Sequence, residues 1–348
     1  MHVLRNTAPL PMGGFGVLQP GEWLMHDMNA FECGVLAERG TVKLDSAGSS
    51  IEPLGGSGVL VMRSGRFGDL LMASPALMAF RENLPVTPIS LSCFPQRSAL
   101  FENTSYMPLE PYPMPMARAN KFDKVISLEN IVETERELHA TDAFAKALGV
   151  TVTDYRPIYK VTEDELAAAA LLKGMSERPL VTIQPRSSVI NRDYPFGLWA
   201  HVFVELDRRG WEVVLLGEKG SIPPLPKELA SLHITDLSVR GLTFRQSAAM
   251  VALADAHCGV DSAFLQIAFA VKTPCVGLFG PIDWKLRASK NPQAVSLTGT
   301  LECKGCGWHL RGGQAFPPGM PCAKDRVCGV LADIAPDRIV AKLEAMKP

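Results

Sequence analysis

The sequence predicts an α/β protein with two mostly parallel sheets, one in each half of the chain. Three observations predict it. Short apolar runs alternate with segments of helical spacing, the pattern of strand–helix–strand units. Glycine or a polar turn follows several of these runs, at the strand ends where open α/β sheets bind ligands. The chain has 348 residues, more than one core usually organises, so two domains are expected.

Residues 1–50 read as short strands or an irregular arm, because the apolar runs Phe15–Leu18, Cys33–Leu36 and Val42–Leu44 alternate with turn residues. Such an arm covers the first domain or joins copies of the chain in a homo-oligomer; the sequence leaves both open. Residues 51–58 form a joint. Val59–Met62 is a buried strand, Gly65 and Gly68 give the following turn its freedom, and Asp69 opens a helix to about Asn83. Pro75 lies inside that helix and Pro85 beyond its end. Ile89–Cys93 is a strand, and four prolines make residues 104–120 a loop. Val125–Leu128 is a strand, and residues 134–148 form a helix that Gly149 stops. Thr162 and Glu165 form a capping box at the head of an Ala-rich helix over 162–178. The boundary is placed at its end, giving a first domain of 51–176 and a second of 177–335.

The second domain repeats the alternation. Leu180–Gln184, Glu212–Gly217, Ala256–Val260 and Cys275–Phe279 read as strands, and residues 197–209, 243–255 and 263–271 as helices. A last helix occupies Pro336–Met346, within a segment of 336–348.

Composition excludes some functions. A net charge of -1 with no long run of one sign gives no basic face for nucleic acid. No stretch reaches the roughly 20 apolar residues of a membrane span, and the N-terminus lacks the apolar centre of a secretory signal. A cytoplasmic location is expected. Of eight cysteines, Cys33, Cys93, Cys258 and Cys275 read as buried small hydrophobes. The others, Cys303, Cys306, Cys322 and Cys328, are spaced C-x2-C-x15-C-x5-C. Four thiolates so spaced suit a structural zinc or iron, with His309 as a spare ligand. Two disulfides or four free thiols are the alternatives, and a reducing compartment disfavours the disulfides. Four protein ligands would close the site, so no cofactor is expected in catalysis.

Three switch points carry candidate chemistry. Asp69 is a helix cap or a reactive carboxylate at the ligand-binding end of its sheet. Asp261 and Ser262, between a strand and a helix, form an ordinary cap or an anion site. Gly280, in L-F-G-P, admits a close backbone approach. Arg186 and Arg192, in Q-P-R-S-S-V-I-N-R-D-Y-P, could fork a diphosphate or remain solvated charges.

The order of these motifs resembles glycosyltransferase family nine, the heptosyltransferases of lipopolysaccharide core assembly. The matching pieces are R-S-G-R-F-G-D with its downstream S-P, I-Q-P with R-D-Y-P-F-G-L-W, V-V-L-L-G, G-V-D-S-A-F-L-Q-I-A-F-A, and T-P-C-V-G-L-F-G-P, spanning residues 59–281. The resemblance implies a GT-B fold of two Rossmann-like domains across a cleft, the last helix crossing back to the first domain. It implies an inverting, metal-independent transfer of a sugar, typically heptose from ADP-heptose, to a lipopolysaccharide core or other glycan. Such an enzyme works at the inner face of the inner membrane, with at most peripheral membrane contact. Asp69 matches the family's general base. Arg63 and Arg66, in the same turn, fall on the acceptor side. Asp261 matches a residue near the donor sugar, Ser262 and Ala263 the turn that holds the diphosphate, and Arg192 a basic residue near the phosphates. Two departures stand out. Gln266 replaces the family's His and cannot carry its charge, and Arg186 stands where Gly is common. They motivate a second reading, a non-catalytic nucleotide-sugar binder or assembly subunit. The cysteine cluster motivates a third, a protein O-heptosyltransferase, since relatives that glycosylate autotransporters carry a four-cysteine metal finger.

Overall fold

The computed structural model describes residues 57–104, 107–119, 121–173, 176–307 and 328–348, and the strand backbones of 2–6, 10–11, 17–18, 23–26 and 42–44. The chain divides into two compact units. The first comprises residues 1–135 and 141–153, the second residues 136–140 and 154–348. The division thus falls earlier than the expected 176. The helix Glu163–Lys173 is stapled inside the second unit by the ion pair of Glu165 with Arg245, with an Arg245 Nη2–Glu165 Oε2 separation of 2.7 Å.

In the first unit the early segments are β1 (His2–Asn6), β2 (Leu10–Pro11), β3 (Val17–Leu18), β4 (Trp23–His26) and β5 (Val42–Leu44). The expected run Cys33–Leu36 lies outside the described residues. Then come β6 (Val59–Met62), α1 (Phe67–Asn83), β7 (Ile89–Cys93), β8 (Leu109–Pro111), β9 (Met114–Pro115), α2 (Met116–Ala119), β10 (Lys124–Ser127), α3 (Ile131–Thr134) and α4 (Ala140–Leu148). The arm belongs to this unit: β5, β1, β4 and β9 form one antiparallel sheet, with Leu24 opposite Pro115 and Met25 opposite Met114. The second sheet is parallel, in the order β10-β6-β7-β8. Its topological switch lies between β6 and β10, the place where a doubly wound sheet opens a ligand crevice.

Helix α1 shows how the chain accommodates its own breaker. Pro75 has no N–H to give the Leu71 carbonyl four residues back. The Ser74 hydroxyl takes that role, donating to Leu71 O at 2.7 Å, and the helix continues. The expected helix over 134–148 is broken instead. Residues 135–139 leave the helical path, and His139 is buried edge-on to Tyr155, ring centroids 5.7 Å apart.

The second unit contains α5 (Glu163–Lys173), β11 (Leu180–Gln184), α6 (Phe196–Arg208), β12 (Glu212–Leu215), β13 (Ile234–Asp236), α7 (Phe244–Leu253), β14 (Ala256–Val260), α8 (Ala263–Val271), β15 (Cys275–Phe279), β16 (Ala294–Thr298), α9 (Gly329–Ala332) and α10 (Pro336–Glu344). All six strands are parallel, in the order β13-β12-β11-β14-β15-β16. Numbered within the unit this is the 3-2-1-4-5-6 order of dinucleotide-binding folds, with its switch between β11 and β14.

Helix α10 packs within the second unit: Ile339, Val340 and Leu343 are buried in its core with Trp199, Phe203 and Leu206 of α6. An apolar stripe at i, i+1 and i+4 seeks the nearest apolar surface, and α6 presents one. Trp211 Nε1 adds a hydrogen bond to Glu344 Oε2 at 3.2 Å.

Candidate active site

At the first unit's switch, the chain after β6 delivers Arg63. Its side chain is 1% exposed. Nη1 donates to Leu128 O at 3.0 Å and lies 3.4 Å from oxygens of both Glu129 and Glu133. Nη2 donates to Glu133 Oε1 at 2.7 Å and stands 3.6 Å from Asp69 Oδ2. The guanidinium lies 5.5 Å from the centroid of the Phe144 ring. Arg63, expected on the acceptor side, is thus buried among three carboxylates, Glu133 the nearest and Asp69 the farthest. Burial alone would pull its pKa down, but Asp69, Glu133 and Glu129 together more than reverse that.

Asp69 is not the N-cap of α1 but its third residue. Its Oδ2 accepts the Arg66 backbone N–H at 2.8 Å, and the side chain keeps 25% exposure. Arg66 itself is exposed. Gly65 allows the cluster to close, for a Cβ there would sit 2.6 Å from Arg63 Nε and 2.9 Å from Asp69 Cβ.

Glu129 and Glu133 escaped the sequence reading. Glu129 accepts the Ser64 backbone N–H, and burial pushes its carboxyl up to about 7, with Arg63 and Ser64 opposing. The available signal was a carboxylate just beyond V-I-S-L, at the carboxyl end of a strand beside β6.

At the second unit's switch, the loop after β11 and the turn after β14 meet. Arg192 Nη1 lies 3.3 Å from Asp261 Oδ2 and Nη2 lies 3.4 Å from Ser188 Oγ, while the buried Nε has no partner. Arg186 is committed to Asp193 Oδ2 (2.9 Å) and Ser221 O (2.8 Å). Ser262 is the N-cap of α8, but its hydroxyl bonds to Gln184 Oε1 instead of capping. The first turn of α8, beginning at Ala263, thus has no side-chain cap from Ser262, the arrangement that suits an anion. Gln266, one turn on, is 2% exposed, and its Nε2 has no partner. A buried donor left unmade is costly and commonly marks a ligand or water.

Gly280 lies in a tightly packed turn. A Cβ there would lie 2.7 Å from both Cys328 Sγ and Leu331 Cγ, so its bareness serves packing against α9. The cysteine loop is tied to the same turn: Gly305 N–H donates to Gly280 O (2.8 Å) and Gly307 N–H to Pro281 O (2.6 Å). Cys303 and Cys306 lie in this loop; Cys322 and His309 lie outside the described residues. Among the described residues no three His, Cys, Asp or Glu side chains come together to hold a metal. Within the same residues, no helix is long and apolar enough to cross a membrane.

Solved structures share the fold. The chain is similar to Escherichia coli ADP-heptose lipopolysaccharide heptosyltransferase II: TM-score 0.63 at 16% identity, covering 83% of this chain and 98% of that one. It is similar to TibC, an iron-containing dodecameric glycosyltransferase of enterotoxigenic E. coli H10407: TM-score 0.65 at 15% identity, covering 88% and 84%. It also matches E. coli heptosyltransferase WaaC with ADP-2-deoxy-2-fluoro heptose: TM-score 0.52 at 12% identity, covering 82% and 99%. At these identities the likeness fixes the fold, which is that of the GT-B glycosyltransferases. No curated protein matches the sequence. The family model "Glycosyltransferase family 9 (heptosyltransferase)" matches residues 117–308, more than half of the chain. The chain belongs to that family and is a glycosyltransferase.

Proposed function

We propose that this glycosyltransferase moves a heptose from ADP-heptose to a lipopolysaccharide core, with inversion and without a catalytic metal. The reading rests above all on the second unit's switch point, where the Arg192–Asp261 pair adjoins a helix start without a side-chain cap and the buried Gln266 amide one turn on has an unpartnered Nε2. The donor diphosphate would accept from the first N–H groups of α8 and from Arg192, once Asp261 turns to the sugar hydroxyls. Asp69 would act as general base: it takes the acceptor hydroxyl's proton, the oxygen bonds to the anomeric carbon from the opposite face, and the bond to ADP breaks with its electrons leaving on the phosphate. Arg66, exposed beside Asp69, would meet the acceptor. Heptosyltransferase II and WaaC supply the choice of donor, being described with ADP-heptose or its analogue.

The test is a thermal-shift titration of the full chain with ADP, ADP-heptose and UDP-glucose, followed by measurement of ADP release with a core oligosaccharide. The expected result is stabilisation by ADP-heptose beyond ADP, little by UDP-glucose, and turnover lost in Asp69→Asn by roughly 100-fold or more. Equal shifts for all three ligands, or an active Asp69→Asn, would overturn it.

We also propose a structural zinc or iron on Cys303, Cys306, Cys322 and Cys328. Its support is local: Cys328 Sγ and the Cys303–Cys306 loop pack on the one turn at Gly280–Pro281. Metal analysis of the purified chain, and of Cys306→Ser, tests it; absence of bound metal from both refutes it.

A further inference from the structure

We infer that Arg63, counter-charged by Glu129 and Glu133, is the positioning group that holds the Asp69 carboxylate for proton abstraction, and that Glu129 gates it. The inference rests on the reading of Asp69 as base and deepens it. One buried guanidinium meets carboxylates from three elements: Asp69 on α1, Glu133 on α3, and Glu129 in the loop between β10 and α3, with the Phe144 ring of α4 on its face. An ion pair built only for stability would need one counter-charge. Three leave an excess of negative charge around a single cation, and only Asp69 among them belongs to the proposed chemistry.

The geometry divides the work. Nη1 is fixed by Leu128 O, and Nη2 by Glu133 at 2.7 Å, which leaves the same Nη2 turned toward Asp69 Oδ2 at 3.6 Å. Glu129 ties two strands of the support together, since it touches Nη1 and receives the Ser64 N–H between Arg63 and Gly65. When ionised, Glu129 accepts both bonds with charge assistance; once protonated it is a neutral and weaker acceptor. The groups facing it are Arg63, the Ser64 N–H and Glu133, and burial places its titration at about 7. A drop in pH through that value loosens the grip on Arg63 and on the turn that carries Asp69.

The experiment measures ADP release from ADP-heptose, with water and with a core oligosaccharide as acceptor, from below to above about pH 7. Wild type, Glu129→Gln, Arg63→Lys, Arg63→Met and Asp69→Asn are compared as full chains, with melting temperatures in parallel. In wild type kcat rises through about pH 7. Glu129→Gln, nearly isosteric, loses that rise and stays near the low-pH rate at every pH, with KM and melting temperature little changed. Arg63→Met loses roughly 100-fold in kcat, the scale of a 1 Å misplacement, and Arg63→Lys recovers part of it. A Glu129→Gln enzyme with the wild-type pH profile overturns the gate, even if Arg63→Met fails to fold. Inactive Asp69→Asn beside Arg63→Lys and Glu129→Gln of wild-type kcat overturns the positioning role and spares the base. Full activity in Asp69→Asn overturns the base, and this inference with it.

Discussion

Replacing Gly65 by alanine puts one methyl group where the first unit's charge cluster has no room. The new Cβ would stand 2.6 Å from Arg63 Nε, 2.9 Å from Arg63 Nη2 and 2.9 Å from Asp69 Cβ. Comfortable contacts of this kind lie near 3.5 Å, so something must move by up to about 1 Å. Arg63 cannot swing into solvent, because its guanidinium is anchored by Leu128 O and Glu133. The turn between β6 and α1 must shift instead, carrying Asp69. Overpacking of this order destabilises by about 1–3 kcal/mol. At roughly 2–4 °C per kcal/mol for a body of this size, the melting temperature should fall by about 2–12 °C. Turnover should fall further than stability implies, by about 100-fold, if Asp69 moves by about 1 Å. Calorimetry and ADP release on the same preparation measure both. Gly197→Ala is the control: it lies in helix α6 with nothing within 4 Å of the added Cβ, and it should gain roughly 0.5–1 kcal/mol. Gly65→Ala with the wild-type melting temperature and turnover would refute the close packing from which the prediction is drawn.

Three further outcomes follow from the second unit. Gln266→Met removes a buried amide whose Nε2 has no partner; relieving a penalty of about 1–3 kcal/mol should raise the melting temperature of the free chain while ADP binds more weakly. His257, fully buried on β14 with Nδ1 3.0 Å from Thr182 Oγ1, is held down to about 3 by burial. The unfolded chain protonates it below about 6.5 and the folded chain does not, so stability present above that pH is lost at roughly 1.4 kcal/mol per pH unit on acidification; in His257→Gln the acid limb of the melting curve should flatten. By contrast Glu129, in the first unit and raised by burial, acts with the opposite sign: its stabilisation is complete below about 4.5 and lost as pH rises through about 7. Leu343→Ala, at a site with 0% exposure in the α6–α10 core, should cost about 2–5 kcal/mol in the second unit. A negligible loss would mean that α10 docks elsewhere.

The elements that were legible in the sequence are those buried on both faces. β6, β11, β14 and β15 read as continuous apolar runs because helices cover both sides of a parallel sheet. β13 and β16 carry no such signature. They are the edge strands of their sheet, half-exposed along most of their length, and Ile234–Asp236 has only three residues. The helix expected over 134–148 has the right periodicity, but the packing of His139 against Tyr155 overrides local preference between α3 and α4. At the two switch points, motif order singled out Asp69, Asp261 and Arg192, which the structure places at the carboxyl ends of their sheets. It could not find Glu129 and Glu133, which reach Arg63 from more than 60 positions away through strand pairing. Nor could it show the packing of Gly280 against Cys328 and Leu331, because the sequence does not say which atoms fill the space beside a glycine.

Asp69 was readable either as a helix cap or as a base, and its contacts are compatible with both at once. The Arg66 N–H and the Arg63 guanidinium both approach the same oxygen, Oδ2. A carboxylate pinned at one oxygen is held in one orientation, and its second oxygen keeps its lone pairs. Under the proposed base role, capping would supply the order that proton abstraction needs. It also explains why the residue stands third in α1: an N-cap side chain folds back over the helix's own N–H groups, whereas the third position reaches back to the turn, beside Arg63. If so, Asp69→Asn and Asp69→Ala should differ in a defined way. Asparagine keeps an oxygen for the Arg66 N–H, so it should hold stability within about 1 kcal/mol of wild type while losing turnover. Alanine should lose both the reciprocal bond and the reaction, and it leaves Arg63 with one carboxylate fewer. Equal stability for the two variants would show that the cap contributes nothing, and the positioning of Asp69 would then fall to Arg63 alone.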